Sequence, residues 1–511
     1  MSPLRRNSLS APLPLADGDL MAAIDLGSNS YHMVVARYSQ GQFRVVDRLR
    51  EMVRMADGLD NRGGLSSAAR DRALDCLSRF GERIRDIPPQ RVRAIATNTV
   101  RSLREPQAFL MLAESALGHA IEIVSGREEA RLVYLGVAHA QPSAPGELRL
   151  VMDVGGGSTE CIIGSGLEAI ERESLQMGCV ATTRRFFDNG KLSRKKWKQA
   201  HDEIGAEFQQ FAHRYRELGW QDVLGSSGTI KAIGNICSEM KLTKGAITAD
   251  VLPHLRDRLL EAGHIDKIDL PGLSNDRKPV IAGGLLVVEA AFKALGIERM
   301  MVSRAAMREG ILCDMLGLGG DEDPRDAAID LLMTRYDVDE AQATRVEATA
   351  MHLFDQVADT WGLDTEDRVK LGWAAWLHEI GLAIAHSQHH VHGAYLLENS
   401  DISGFTRQQQ QVLSVLVRCQ RRSIPKHAFD AIPDRLLLRT RRITALLRLA
   451  VLLNRSHGRI DLPKLKLIAH GTELALALPK RWLDERPLLR SDLSGEPEDM
   501  QALGINLHIT G

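Results

Sequence analysis

Apolar and polar residues change their spacing along the chain, and the change divides it near residue 321. Before that point, short apolar runs and segments that alternate with a period of two predict strands separated by amphipathic helices. Residues 31–38 and 43–50 alternate in this way and predict a hairpin with its turn at Gln40 and Gly41. After residue 321 a helical period predicts a bundle, until residues 465–477 and 505–509 again alternate as strands do. The pattern therefore predicts an open α/β part, a helical part and a small α/β or β-rich end.

A glycine-rich turn follows one of the buried strands that this pattern predicts. After the apolar residues 150–152 the chain reads Asp153, Val154, Gly155, Gly156, Gly157, Ser158, Thr159 and Glu160. Glycines let a backbone turn tightly with its N–H groups free to face an anion, and the hydroxyl groups add further donors. Carboxylates beside such amides indicate a phosphate bound together with a divalent cation. A turn that only connects two strands is the alternative.

A second copy of this turn favours the phosphate interpretation. About one domain length earlier the chain reads Ile24, Asp25, Leu26, Gly27, Ser28, Asn29 and Ser30. In each copy an apolar strand is followed by the turn and then by a hairpin pattern. Two such turns facing each other would hold a phosphate chain from both sides. A third turn, with Ser227, Gly228 and Thr229 before a helix, offers further amides to an anion.

Three other groups of residues have both a functional and a structural interpretation. Glu128 and Glu129 at a predicted helix start suit either a catalytic carboxylate or only the helix dipole. Two basic runs would form solvated faces or a track for a polyanion, and they contain Arg194, Lys195, Lys196, Lys198, Arg441 and Arg442. A histidine cluster would bind metal or be structural, and it contains His378, His386, His389, His390 and His392. Structural histidines are favoured, because Glu379 stands where metal phosphohydrolases of the His-Asp class have aspartate.

Composition narrows the class of protein. A length of 511 residues suits about three or four domains, and 44% hydrophobic and 26% charged residues are ordinary for a globular protein. A formal net charge of -1 excludes a globally basic nucleic-acid binder. Six scattered cysteines indicate a reducing compartment, and no apolar run approaches the ~18 residues that span a bilayer. We therefore expect a cytoplasmic protein without a transmembrane segment, and a disordered tail at residues 1–19.

Six motifs, in order along the chain, resemble those of the exopolyphosphatase and guanosine pentaphosphate phosphatase family. They are the two Asp-containing turns and residues 125–131 (Ser-Gly-Arg-Glu-Glu-Ala-Arg), 177–180 (Met-Gly-Cys-Val), 226–229 (Ser-Ser-Gly-Thr) and 308–310 (Arg-Glu-Gly). The resemblance implies two ribonuclease-H-like lobes of the actin, sugar-kinase and chaperone-ATPase fold, at residues 20–134 and 135–318. It also implies an all-helical His-Asp-like domain at 319–445 and a small C-terminal domain at 446–511, as in the long exopolyphosphatases.

The resemblance further implies hydrolysis of a terminal phosphoanhydride with release of orthophosphate. By position in the motifs, Glu129 would be the base for the attacking water, and Arg101 would neutralise charge on the transferred phosphoryl group. Asp153, Asp25 and Glu160 would place magnesium (Mg2+). The terminal phosphates would be held by Gly27, Ser28, Asn29, Gly155, Gly156, Gly157, Ser158, Ser227, Gly228 and Thr229. The two basic runs would hold distal phosphates.

The sequence favours inorganic polyphosphate, cut processively, as the substrate, because the triple-glycine turn and the basic runs suit a polymer. Guanosine pentaphosphate, cut by a 5'-phosphohydrolase of the stringent response, is the alternative. An actin-fold kinase or ATPase would need an adenosine pocket, for which there is no distinct signal, and a non-catalytic phosphate sensor would need no base at Glu129. The resemblance implies a homodimer, and peripheral association with the inner face of the membrane stays open.

Overall fold

The fold comes from a computed structural model that describes residues 15–39, 42–60, 62–144, 146–317, 324–400, 402, 404–457 and 462–510. Most of the predicted tail and the predicted turn at Gln40 and Gly41 lie outside the described residues. Contacts divide the chain into a first unit within residues 12–321 and a second unit within residues 322–511. Within the described ranges, no helix is both long and apolar enough to cross a membrane.

The first lobe of the first unit is built on a five-stranded sheet. Its elements are β1 (Leu20–Leu26), β2 (Tyr31–Ser39), β3 (Gln42–Glu51), α1 (Ser67–Ile84), β4 (Val92–Ala96), α2 (Asn98–Arg101), α3 (Pro106–Leu117), β5 (Ile121–Ile123) and α4 (Gly126–Ala140). The strand order is β3-β2-β1-β4-β5, with an antiparallel β1-β2-β3 meander and β4 and β5 parallel to β1. Helix α1 starts where Ser66 accepts a hydrogen bond from the Ala69 amide, and buries the face that includes Leu77 and Phe80.

The second lobe repeats this plan. Its elements are β6 (Leu148–Val154), β7 (Thr159–Ser165), β8 (Glu168–Leu175), α5 (Cys179–Phe186), α6 (Arg194–Leu218), β9 (Asp222–Ser226), α7 (Ser227–Glu239), β10 (Ile247–Thr248), α8 (Val251–Ala262), α9 (Ile281–Leu295), β11 (Arg299–Val302) and α10 (Met307–Met315). The sheet order is β10-β11-β9-β6-β7-β8, so β6-β7-β8 corresponds to β1-β2-β3 and β9 and β11 to β4 and β5. The α/β architecture with two duplicated lobes, predicted from the paired turns, is confirmed.

One predicted helix of the second lobe is two helices. The sequence predicts a helix over residues 187–212, whereas α5 ends at Phe186 and α6 begins after Ser193. Gly190 between them has φ 72°, which a helix cannot accommodate, and the Ser193 side chain accepts a hydrogen bond from the Lys196 amide. The basic run therefore forms the first turn of a separate helix.

The second unit is helical with one small sheet. Its elements are α11 (Pro324–Arg335), α12 (Glu340–Trp361), α13 (Thr365–Leu377), α14 (His389–Asn399), α15 (Arg407–Cys419), α16 (Asp434–Leu453), β12 (Lys466–His470), β13 (Glu473–Ala477), α17 (Lys480–Asp484), α18 (Pro487–Gln501) and β14 (Asn506–Thr510). The sheet order is β12-β13-β14. One hydrophobic core extends from Ile329 to Leu507, and the predicted boundary at residues 445/446 falls inside α16, whose apolar face stays buried as far as Leu453.

Candidate active site

The two glycine-rich turns meet at the ends of the central strands β1 and β6. A Cβ atom built on Gly156 would lie 3.1 Å from the Ser28 Cβ atom, and one built on Gly157 would lie 2.9 Å from Ser28 Oγ and 2.6 Å from Asn98 Oδ1. A methyl group at either position would have to displace the Ser28 or Asn98 side chain. Glycine at these positions therefore lets the backbones of the two lobes approach each other closely.

The amides at this meeting point are available to a ligand. Gly155 donates to the Ser158 carbonyl at 3.0 Å, which closes the turn, and the Gly156 carbonyl accepts from the Val180 amide at 2.9 Å. Over the described residues, no protein acceptor takes the amide hydrogens of Ser28, Gly156 or Gly157. Backbone N–H groups left free in a tight turn form an anion-binding concavity.

A cleft of about 360 Å³ opens between the two turns. Twelve of the predicted site residues line it, namely Asp25, Gly27, Ser28, Asn29, Glu129, Asp153, Gly155, Gly156, Gly157, Ser158, Ser227 and Gly228. The first turn of α4 supplies Glu129, and the start of α7 supplies Ser227 and Gly228. The cleft is thus built where strands of both sheets end and helices begin, the position at which open α/β sheets bind ligands.

Three other predicted site residues do not line the cleft. Arg101 donates from Nη1 to the Val124 carbonyl at 2.6 Å, and the same atom lies 3.8 Å from Glu129 Oε2. Glu160, which faces Asp153 across β6 and β7, is buried and accepts a hydrogen bond from Ser174 Oγ at 2.9 Å. Thr229 is also buried. Arg101 and Glu160 therefore contact the site's surroundings rather than its open space.

Burial raises the pKa values of the carboxylic acids around the cleft. The pKa of Glu129 rises to about 8, mainly through desolvation and against the lowering effect of Arg101. Desolvation likewise raises the pKa of Asp25 to about 7, although Arg308 opposes it, and raises that of Asp153 against a hydrogen bond from Ser226 Oγ. The charge of Asp153 also raises the pKa values of Asp25 and Glu129, so a bound cation would favour the charged forms of these acids.

The sequence prediction missed six cationic or imidazole side chains that line the cleft. They are His32, Arg48, Arg50, Lys231, Arg277 and Arg308. Five of these are cations, against three carboxylates in the same lining. Two signals for them existed: Arg308 belongs to the motif at 308–310, and Lys231 follows the third turn by less than one helical turn. A cleft with excess positive charge and free amides suits an oligophosphate.

His32 connects the first turn to α10. Its Nδ1 lies 2.5 Å from Arg308 Nη1, and its Nε2 lies 2.8 Å from Ser30 Oγ. A guanidinium group can only donate, so Nδ1 accepts and the proton lies on Nε2, which donates to Ser30. Desolvation and Arg308 lower the pKa of His32 to about 2. His32 is therefore a neutral residue that orients Arg308 toward the cleft.

The predicted basic runs lie in separate units. Arg194 and Lys198, on α6, line another cavity of about 570 Å³ together with Trp197, and no residue of the glycine-rich turns lines it. In the second unit, the Arg441 guanidinium lies 5.6 Å from the Phe429 ring centroid, and Arg442 donates to the Trp361 carbonyl. A role for these residues as a polyphosphate track stays a prediction.

The histidine cluster lies in the second unit. His378, His389 and His390 are buried, and His386 is exposed. Throughout the described part of the chain, no three His, Cys, Asp or Glu side chains are grouped as a metal site would need.

The chain matches known families and proteins over nearly all of its length. Residues 34–318 match the Ppx/GppA phosphatase family, and residues 325–497 match its domain III. The chain is 40% identical over 492 residues to a guanosine-5'-triphosphate,3'-diphosphate pyrophosphatase of Aeromonas hydrophila, which covers 95% of this chain and 97% of that protein. A protein of the same name from Aeromonas salmonicida is 39% identical over the same shares.

Two solved structures have a similar fold over about 60% of this chain. An exopolyphosphatase from Cytophaga hutchinsonii matches with a TM-score of 0.53 and 23% identity, covering 60% of this chain and 100% of that one. An exopolyphosphatase-like protein matches with a TM-score of 0.52 and 21% identity, covering 59% of this chain and 99% of that one.

Proposed function

The chain belongs to the Ppx/GppA phosphatase family of phosphoanhydride hydrolases, and from that premise we propose that it removes the terminal 5'-phosphate of guanosine pentaphosphate. The observation that carries the proposal is the 40% identity, over 95% of the chain, to a protein named for this substrate. The likeness to the Cytophaga hutchinsonii exopolyphosphatase covers 60% of the chain at 23% identity and supports the fold alone. The nucleotide therefore replaces inorganic polyphosphate, which the sequence favoured, as the first candidate.

Glu129 is the proposed base. It stands at the first turn of α4, lines the cleft, and its Oε2 is buried and accepts no hydrogen bond from the described protein groups. With a pKa of about 8, the ionised form of Glu129 is the minor one at pH 7, and a bound cation would favour it; in that form the carboxylate can accept a proton from water. As the water oxygen bonds to the terminal phosphorus, the bond to the bridging oxygen breaks, Glu129 takes the proton, and orthophosphate and guanosine tetraphosphate leave.

The two turns and the cations hold the phosphates during this step. Free amides of Ser28, Gly156 and Gly157 would donate to the terminal phosphoryl oxygens, and Arg308 and Lys231 would balance their charge. These groups are fixed by the fold before substrate arrives. Most of the catalytic effect of such a site comes from positioning and charge stabilisation.

Magnesium fits the donors of the cleft. Asp25 and Asp153 line it as buried carboxylates with raised pKa values, and Mg2+ in phosphoryl-transfer sites is usually bound by one or two carboxylates together with substrate phosphates and water. When bound, Mg2+ would neutralise charge on the phosphates and on these carboxylates. Glu160 accepts a hydrogen bond from Ser174 Oγ inside the lobe, so it would act on the site only through its charge.

Inorganic polyphosphate is the second candidate, because the cleft has no obvious aromatic surface on which the guanine ring of a nucleotide could stack. Among the described residues that line it there is no Trp, Tyr or Phe ring, whereas there are five cationic side chains. Binding a polymer of phosphates requires positive charge and no stacking on aromatic rings. Homodimerisation and membrane association stay predictions of the sequence.

A substrate comparison tests the proposal. Orthophosphate release from guanosine pentaphosphate, tripolyphosphate and long polyphosphate is measured with magnesium on the full chain, with the Glu129→Gln variant as the blank. We expect kcat/KM for the nucleotide to exceed that for either polymer by at least ~10-fold, the result of about 1.4 kcal/mol of preferential transition-state binding. A kcat/KM that is higher for long polyphosphate than for the nucleotide would make polyphosphate the preferred substrate and overturn the proposal.

A further inference from the structure

A second polar cavity, of about 470 Å³, lies in the helical unit and has no part in the catalytic proposal. It is bounded by the residues before and at the start of α14 and by the end of α15 with the loop that follows. Three of its lining residues are arginines, Arg418, Arg421 and Arg422, and no aspartate or glutamate lines it. Three like charges around one small space repel each other, so this arrangement favours an anion.

The three arginines differ from others nearby in their lack of carboxylate partners. Arg448 pairs with Glu496 and with Asp499, and Arg455 pairs with Asp492 at 2.7 Å. Within the described residues, Arg418, Arg421 and Arg422 form no ion pair within 4.0 Å; Arg421 Nη1 contacts His389 Nε2 at 2.5 Å, and the charges of Glu379 and Asp492 act on Arg421 from farther away. Their charges therefore remain available to a ligand.

His390 adds a buried polar group without a partner. The residue lines the cavity, is 4% exposed, and its Nδ1 has no hydrogen-bond partner in the described part of the chain. Desolvation and the three arginines lower the pKa of His390 to about 4. The imidazole is therefore neutral at pH 7 and can donate one N–H to an anion without adding to the repulsion.

The backbone at the cavity is also arranged for an anion. Gln388 is the N-cap of α14, has φ 56° and makes no side-chain cap hydrogen bond; its carbonyl accepts from the Val391 amide, whereas the His389 and His390 amides have no acceptor among the described residues. Arg422 has φ 58°. Left-handed backbone at non-glycine residues costs energy and persists where the surrounding structure imposes it.

We propose that this cavity binds a phosphate-bearing anion, with Arg418, Arg421 and Arg422 as its main ligands and the start of α14 donating backbone amides. Guanidinium groups bind phosphate oxygens in pairs, and three of them suit more than one phosphate group. The cavity volume is in the range of small-molecule sites, so a diphosphate or triphosphate would fit. Such a group could belong to a free phosphorylated molecule or to a distal part of a polyphosphate substrate. The inference concerns binding in the second unit and stands whether or not the proposed function of the first unit is correct.

Titration calorimetry with inorganic tripolyphosphate tests the site on the full chain carrying Glu129→Gln, which keeps the probe intact. The test variant adds Arg418→Gln and Arg422→Gln, and the matched control adds Arg481→Gln, since Arg481 is 94% exposed in the same unit and does not line the cavity. We expect one binding event to weaken at least ~10-fold in the test variant and to be unchanged in the control, because hydrogen bonds to charged groups are the strong ones. Identical isotherms in the parent and the test variant would overturn the proposal.

Kinetics with an intact Glu129 separate the two sources of phosphate. If the cavity takes a distal part of the substrate, Arg418→Gln with Arg422→Gln raises KM for long polyphosphate several-fold and leaves KM for tripolyphosphate unchanged. If it takes a free molecule, both KM values stay the same and only the calorimetric event is lost. Thermal unfolding of each variant shows that the helical unit remains folded, which is expected because Arg422 is exposed.

Discussion

Glu129 Oε2 and Arg101 Nη1 lie 3.8 Å apart, close enough for charge to act between them and too far for a hydrogen bond. Both side chains have a buried atom without a hydrogen-bond partner among the described residues, Oε2 of Glu129 and Nη2 of Arg101. A buried acid held near a cation without being bound by it keeps its proton-accepting atom free. The two residues thus have separate roles: Glu129 faces the cleft, and Arg101 lowers the pKa of Glu129.

Replacing Glu129 by Gln removes the proposed base and keeps the shape of the side chain. We expect kcat to fall by at least ~100-fold while substrate binding is largely kept, since the phosphates are held by other groups. Single-turnover orthophosphate release and equilibrium binding of the nucleotide measure the two effects separately. Glu105→Gln, at a side chain that is 69% exposed, is the control for the loss of one carboxylate from the same lobe. A Glu129→Gln enzyme with the parent's kcat would remove Glu129 from the mechanism.

Replacing Arg101 by Gln tests its role as a positioning residue. Arg101 lowers the pKa of Glu129 against desolvation, so its loss raises that pKa further. We expect the rising limb of the pH profile of kcat/KM to move by about one unit or more toward higher pH, so that activity lost at pH 7 partly returns at pH 9. The control is Arg104→Gln, since Arg104 is 72% exposed nearby. A uniform loss of activity at every pH would assign Arg101 to direct phosphate contact instead.

The raised pKa values of Glu129 and Asp25 predict how the folded protein responds to pH in the absence of divalent cations. Both groups bind protons more tightly in the folded chain, with pKa values of about 8 and about 7 against ordinary values of 4.5 and 3.8. The folded state therefore holds more protons than the unfolded state across that window, and the free energy of unfolding falls as pH rises from ~5 to ~8.

Thermal unfolding in EDTA checks this expectation. The midpoint of the parent should fall between pH 5 and pH 8, and Glu129→Gln and Asp25→Asn should each flatten the curve and raise the midpoint at pH 8. Magnesium at pH 8 should stabilise the parent more than either variant, because a cation relieves the same repulsion. A parent midpoint that does not change over this range would contradict the electrostatic description of the site.

The sequence identified those parts of the site that are local. Asp25 and Asp153, with the turns after them, are recognisable because an apolar strand, a carboxylate and small residues follow each other directly. Two glutamates at a helix start made Glu128 and Glu129 candidates, and the family resemblance then singled out Glu129. Only the local backbone geometry is needed to place these groups, and the strands that precede the two aspartates are strongly apolar and therefore easy to recognise in the sequence.

Residues that reach the cleft through tertiary packing were not predictable. Arg50 comes from β3, Arg277 from the segment before α9, and each enters the lining only because the lobes close on each other. Glu160 shows the reverse: pairing with Asp153 across β6 and β7 places it near the site, yet Ser174 engages its side chain and the cleft does not include it. Sequence spacing could not decide which neighbour a side chain would meet.

The last prediction concerns the close approach of the two turns. In Gly157→Ala the new methyl group would lie 2.6 Å from Asn98 Oδ1 and 2.9 Å from Ser28 Oγ, so these side chains, or the turn that carries Ser28, must shift. We expect kcat/KM to fall by at least ~100-fold, because a displacement of this order at a preorganised site has that effect. Gly205→Ala is the matched control: its Cβ atom would meet nothing within 4 Å inside α6, and the change should stabilise the helix by about 0.5–1 kcal/mol while activity is kept. Full activity in Gly157→Ala would mean that the turns need not touch for catalysis.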